Sequence, residues 1–218
     1  MNPMELAAHG PVIPVLVIER VEQAVPLAEA LVAGGVRVLE VTLRTPVALQ
    51  CIEAIARRVP QAIVGAGTVR SAGDAQAAKD AGSRFVVSPG YSRHVGEACR
   101  QLGLPLLPGV ATASEVMAAN DDGYSFLKLF PASAVGGMQL LKSLAGPFPD
   151  VSFCPTGGIT AETAPQYLAL PNVRVCGGSW LTPLDAVHHG DWARITSLAR
   201  QAAGLRGAGM PSTLGPLH

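Results

Sequence analysis

Charge is scarce in this chain of 218 residues: Asp, Glu, Lys and Arg together make up 15%, against 49% hydrophobic residues. Disordered chains show the opposite balance, so a folded, globular protein is expected. The 16 basic and 16 acidic side chains cancel. That removes the electrostatic footprint expected of a nucleic-acid or anionic-membrane partner. No apolar run reaches the ~18 residues a membrane span needs, and no basic stretch precedes an apolar core at the N-terminus, so no signal peptide is expected. Cys51, Cys99, Cys154 and Cys176 form no CxxC pair and have no histidine at metal-ligand spacing beside them. They read as small buried hydrophobes in a reduced, cytoplasmic protein that requires no metal and no cofactor.

Short apolar, β-branched runs are what the sequence does have, and an Ala-rich helical stretch follows nearly every one. The strands are expected at Val12 to Ile18, Val36 to Leu43, Ala62 to Thr68, Phe85 to Ser88, Leu104 to Val110, Phe126 to Phe130, Val151 to Thr156 and Val173 to Cys176. The intervening helices are expected near Val21 to Ala33, Pro46 to Arg58, Ala72 to Ala81, Arg93 to Leu102, Ala113 to Asn120, Val135 to Leu144 and Ala161 to Leu170. One or two more close the chain. Gly34-Gly35 supplies a stop signal for the first helix. Thr112 with Glu115 three residues on has the pattern of a capping box. Strands that are apolar throughout fit a parallel sheet buried on both faces. Eight strand–helix units predict a single-domain α/β fold, a (β/α)8 TIM barrel at the short end of its size range, over residues 1–203. The alternative is an open doubly wound sheet, but no GxGxxG follows the first strand. The Gly- and Pro-rich stretch from Gly204 to His218 reads as a loosely held tail.

In a barrel of this kind the active site lies at the C-terminal ends of the strands. Lys128 sits there inside the segment FLKLF. It could simply snorkel at a strand end, or it could be a desolvated amine, partly neutral and able to attack a carbonyl. Glu40 lies inside VRVLEVTL, where alternation puts Val38, Glu40 and Thr42 on one face and Arg37, Leu39 and Val41 on the other. It could be a structural ion-pair partner, of Lys128 for instance, or a general acid/base. Arg44 suits bidentate capture of a carboxylate, or is an ordinary surface arginine. Thr68 ends VGAGT, whose glycines allow close approach to the backbone; its hydroxyl could bind an anion or cap a helix. Gly157-Gly158 and Gly177-Gly178-Ser179, expected to follow the last two strands, offer backbone N–H groups where this fold usually binds phosphate. His188-His189 reads as solvated surface.

The segments LVAGGVRVLEVTLRT, IVGAGTV, SPG, PGV, LKLFPA, AGPFP, FCPTGGI and GGSWL, in this order from about Pro11 to Ala202, resemble the bacterial 2-dehydro-3-deoxy-phosphogluconate aldolases, a family often active also as 4-hydroxy-2-oxoglutarate aldolases. The resemblance implies a carbon–carbon lyase acting on a small 2-oxo acid and an aldehyde, with Lys128 as the Schiff-base lysine and Glu40 as the general acid/base. Arg44 and Thr68 match the groups that bind the pyruvate carboxylate, and Gly157, Gly158 and Ser179 match the phosphate site. Thr156 matches a position that influences stereoselectivity, and Phe130 and Pro131 match residues that shape the pocket. A homotrimer is implied as well. Ser133 departs from the acidic residue expected after LFPA. Competing readings are a phosphogalactonate-specific aldolase, a phosphosugar epimerase or isomerase, and a non-catalytic phosphosugar-binding barrel.

Overall fold

A computed structural model describes residues 3–205, so residues 206–218 of the expected tail lie outside the described residues. Strand and helix alternate along most of the described chain. After a short helix α1 (Pro3–Leu6) and a 3-10 turn come β1 (Val12–Leu16), α2 (Val21–Ala33), β2 (Val38–Thr42), α3 (Ala48–Arg58), β3 (Ile63–Gly67) and α4 (Ala72–Asp80). Next are β4 (Val86–Val87), α5 (Arg93–Gln101), β5 (Leu106–Leu107), β6 (Gly109–Val110), α6 (Ala113–Asp121) and β7 (Phe126–Leu129). The chain ends through α7 (Gly137–Ala145), β8 (Ser152–Pro155), α8 (Ala164–Leu168), β9 (Cys176–Gly178), α9 (Leu184–His189) and α10 (Trp192–Ala203).

Every strand pairing is parallel. Six strands form one sheet in the order β5-β4-β3-β2-β1-β9, and three form a second in the order β6-β7-β8. The two meet at both ends. Only Pro108 separates β5 from β6, and isolated parallel bridges Phe153–Val173 and Thr156–Gly177 join β8 to the segment of β9. The fold is thus a single α/β domain on a curled parallel sheet.

Period-two alternation divides the strands between two cores. Leu39 and Val41 of β2 face outward onto the helices, while Val38 faces inward. The inward cluster takes Ile13, Val38, Ile63, Val87, Leu107, Phe126 and Cys154 from seven different strands. Leu6 and Ala7, from the N-terminal turn that the sequence reading did not anticipate, close it from below. This apolar layer is the floor on which the polar residues of the next layer stand.

Element ends differ from expectation by a few residues, and four of the differences have a local reason. The fifth strand is split at Pro108, because proline has no N–H to give to a ladder. Its two halves pair with different neighbours, β5 with β4 and β6 with β7. The last strand starts three residues and ends two residues later than its glycines suggested, so Gly177 and Gly178 are strand residues paired with Ile13 and Pro14 of β1, not a loop. Helix α3 starts at Ala48, two residues after Pro46, because Thr45 is held back by its hydroxyl on the Ile18 carbonyl (2.7 Å). Helix α8 is shortened at its start, where the backbone N–H of Thr160 donates to the Thr163 hydroxyl (2.9 Å) and occupies the turn Ala161 was to begin. The Thr112–Glu115 capping box forms as expected. Leu205, assigned by sequence to the tail, packs partly buried against the core.

All four cysteines are buried and unpaired. Burial pushes the Cys51 and Cys99 thiols up to about 11 and Cys154 to about 12, and raises Cys176 as well. Since the thiolate is the reactive form, the native protein is expected to react slowly with an aromatic disulfide at pH 8 and to release four thiols only on unfolding. Rapid stoichiometric labelling of the native chain would contradict this burial.

Candidate active site

Strand β7 turns Phe126, Lys128 and Phe130 to the inside, and Leu127 and Leu129 to the outer core. Its neighbours hold Lys128 level with Gly109 on one side and Cys154 on the other. Strand β2 does the same for Glu40, which pairs with Val15 and Gly65. Both side chains stand one layer above Val38 and Phe126. Lys128 Nζ donates to Glu40 Oε1 at 3.1 Å, and both residues are almost wholly buried. Two charged groups so placed could not be desolvated singly; each supplies the partner the other needs. The Lys128 amine also lies 5.3 Å from the centre of the Phe130 ring, within cation–π range.

The glycines of β3 make room for this pair. A Cβ on Gly67 would lie 2.3 Å from Glu40 Oε1, and one on Gly65 would strike the Phe85 ring at 2.6 Å. The close approach that the sequence suggested is therefore made by Glu40 and Phe85 from within the fold. Just beyond Gly67, Thr68 is the one non-glycine among the described residues with positive φ, at 62°. That conformation costs a β-branched residue energy, and it marks Thr68 as a residue held in place by its surroundings.

Above the pair opens a cavity of about 190 Å³ lined by Val15, Glu40, Thr42, Arg44, Thr68, Pro89, Lys128, Phe130 and Thr156. Arg44 reaches back from beyond β2, its Nε donating to Thr42 Oγ1 at 3.2 Å. Beside this cavity lies a second of about 170 Å³, sharing Val15, Arg44, Phe130 and Thr156 and adding Gly157, Gly158, Ile159, Gly178 and Ser179. The two are adjoining lobes of one cleft. Gly157 and Gly158 take φ of 101° and 74°, which curls the backbone so that it forms the wall of the second lobe. Gly177 is needed for another reason: a Cβ there would lie 2.2 Å from Thr156 Oγ1.

All the sequence-derived candidates except Gly177 and Pro131 line one lobe or both. Pro131 lines neither; it packs its backbone near Gly157 and joins Phe130 through a cis peptide bond. Ser133 hangs its hydroxyl on the Gly157 carbonyl (3.1 Å). Val15, Thr42, Pro89 and Ile159 were missed. Thr42 was on the face already assigned to Glu40, and Val15 follows Ile13 by one period of two, so both signals were available. His188 and His189 are exposed, with His188 paired to Glu19 at 3.1 Å, and neither lines the two lobes. Among the described residues no group of three or more His, Cys, Asp or Glu could hold a metal, and no helix is long and apolar enough to cross a membrane.

Comparison with known proteins gives the family of the chain. The family model for KDPG and KHG aldolase matches residues 4–198. The 2-dehydro-3-deoxy-phosphogluconate aldolase of Pseudoalteromonas atlantica is 53% identical over 202 residues, 93% of this chain and 94% of its own. The KHG/KDPG aldolase of Escherichia coli K12 is 52% identical over 193 residues, 88% and 91% of the two chains. Among solved structures, KDPG aldolase from Legionella pneumophila with pyruvate captured as a covalent carbinolamine intermediate superposes with a TM-score of 0.92 at 46% identity, covering 94% of this chain and 99% of that one. A family match over residues 4–198 and relatives about half identical over nearly the whole chain lead to one conclusion: this protein belongs to the KDPG and KHG aldolase family.

Proposed function

We propose that the chain is a Schiff-base aldolase that cleaves 2-dehydro-3-deoxy-6-phosphogluconate reversibly to pyruvate and glyceraldehyde 3-phosphate, and 4-hydroxy-2-oxoglutarate to pyruvate and glyoxylate. The observation that carries this reading is the 3.1 Å contact between Lys128 Nζ and Glu40 Oε1 at the base of a cleft whose first lobe also holds Arg44 and Thr68. The contact lets a proton pass from the ammonium to the carboxylate, leaving an amine that can attack the C2 carbonyl. Arg44 and Thr68 hold the adjacent carboxylate and so fix that carbonyl. Loss of water gives a protonated imine bonded to Lys128, with the Phe130 ring close enough to favour the cation.

Glu40, through a water, then takes the C4 hydroxyl proton. The C3–C4 bond breaks, its electron pair moves into the iminium, and glyceraldehyde 3-phosphate leaves from the glycine-lined lobe. The enamine takes a proton at C3 by way of Glu40. Hydrolysis frees pyruvate and restores the amine. The second lobe supports the phosphorylated substrate, because Gly157, Gly158 and Ser179 offer backbone N–H groups and a hydroxyl to an anion. Thr156, shared between the lobes, stands where the new stereocentre would form.

The architecture proposed with this activity is a closed (β/α)8 barrel over residues 1–203, followed by a terminal tail. Its support is the run of parallel pairings from β5 through β1 to β9, the bridges from the β9 segment to β8, and the pairings of β8, β7 and β6, with only Pro108 between β6 and β5. A homotrimer follows from the family resemblance; light scattering at three times 22.4 kDa tests it. Four buried, unpaired cysteines fit a cytoplasmic setting.

Borohydride added with pyruvate is expected to inactivate the enzyme and leave a pyruvate-derived adduct on Lys128 alone, read by peptide mass spectrometry; an adduct on Lys79 or Lys142 instead would sink the assignment. Glu40→Gln is expected to form that adduct yet turn over about 10²- to 10⁴-fold more slowly; normal turnover would remove Glu40 from its role. Ser179→Asp places a carboxylate in the glycine-lined lobe. It is expected to raise KM for the phosphorylated acid more than about tenfold and to raise KM for 4-hydroxy-2-oxoglutarate, whose second carboxylate carries less charge and reaches less far from C2, by a smaller factor. Equal effects on the two would contradict a phosphate site there.

A further inference from the structure

Thr42 has no part in the chemistry just described, yet it is nearly fully buried, lines the first lobe and contacts Arg44. Its hydroxyl makes two hydrogen bonds of opposite sense. It donates to the Leu16 carbonyl at the end of β1 (2.9 Å) and accepts from Arg44 Nε (3.2 Å). The first bond commits the only hydroxyl proton, so the oxygen turns a lone pair toward the guanidinium. The backbone brings the two residues together. The Arg44 N–H donates to the Thr42 carbonyl at 2.8 Å, a three-residue turn that folds Arg44 back over the strand end. Thr45 fixes the other flank through its own bond to the Ile18 carbonyl, two residues beyond the end of β1.

Arg44 itself is exposed and borders both lobes. An exposed arginine has many rotamers to lose on ordering. Left free, its guanidinium could serve either the first lobe or the glycine-lined one. A bond at Nε holds the stem and leaves the two terminal nitrogens free for a bidentate partner. We infer that Thr42 is the positioning residue of the carboxylate clamp, setting Arg44 toward the 2-oxo acid and making pyruvate recognition depend on a side chain that never touches it. This inference rests on the reading of Arg44 as the carboxylate-binding residue.

Borohydride trapping of the full-length enzyme over a range of pyruvate concentrations tests it, with Thr42→Val, Thr42→Ser, Arg44→Leu and the Thr42→Val/Arg44→Leu double variant. Thr42→Val is expected to raise the pyruvate concentration for half-maximal trapping about tenfold, the effect of one lost hydrogen bond to a charged group, and to leave the trapping rate at saturation nearly unchanged. Thr42→Ser, which keeps the hydroxyl, is expected to behave as the unaltered enzyme. In the Arg44→Leu background Thr42→Val should add nothing, since both changes remove the same interaction. An unchanged half-saturation in Thr42→Val beside a raised one in Arg44→Leu would overturn the inference and leave the Arg44 reading standing. An unchanged half-saturation in Arg44→Leu would defeat the Arg44 reading itself. Equal loss of the saturating rate in both Thr42 variants would make Thr42 a structural residue only, and would also overturn the inference.

Discussion

Lys128 and Glu40 come within 3.1 Å of each other in a nearly closed interior, and neither group could occupy that interior alone. Moving one such charge out of water costs several kcal/mol even after the protein relaxes. Two strands distant in sequence must therefore deliver their side chains to the same layer. The parallel register does this: Glu40 stands level with Gly65, Lys128 with Gly109 and Cys154. A slip of one residue in either strand would turn the charge outward into the helix layer and an apolar side chain into the cleft. The glycine at 67 belongs to the same constraint, since the carboxylate fills the space its Cβ would need.

Above that layer the cleft divides its labour. One lobe surrounds the amine with Arg44, Thr68 and the Phe130 ring; the other is walled by backbone at Gly157, Gly158 and Gly178. Charge recognition of a carboxylate by side chains and of a phosphate by backbone would keep the two ends of an elongated substrate from exchanging places. Thr156 and Arg44 stand at the junction. The strained φ of Thr68 fits a residue held in place by the packing around it.

Much of this was legible in the sequence because the signal was chemical contradiction: a lysine in FLKLF and a glutamate in VLEVT can be buried only against one another or against a substrate. Alternation alone placed Glu40 and Thr42 on one face, and would have placed Val15 too had it been carried from Ile13. The strand–helix order was equally readable from the apolar runs. What escaped depended on contacts between distant segments. The position of β9 was misplaced because Gly177 has low strand propensity, but it is admitted there to accommodate Thr156. The split at Pro108 was visible as a residue lacking an N–H, yet its consequence, a change of partner from β4 to β7, exists only in the assembled sheet. The bond from Arg44 to Thr42 joins neighbours in sequence, but its direction depends on the Leu16 carbonyl of another strand.

The central claim is that the Lys128 amine is the nucleophile and that the clamp beside it receives the 2-oxo acid carboxylate. A crystal structure of the protein soaked with pyruvate at mildly acidic pH tests both parts at once. The account predicts continuous density from Lys128 Nζ to C2 of pyruvate, with the carboxylate within hydrogen-bond reach of Arg44 and Thr68 and Glu40 beside the new bond. Pyruvate bound without a covalent link, or linked to Lys128 with its carboxylate turned to Gly157 and Ser179, would contradict it.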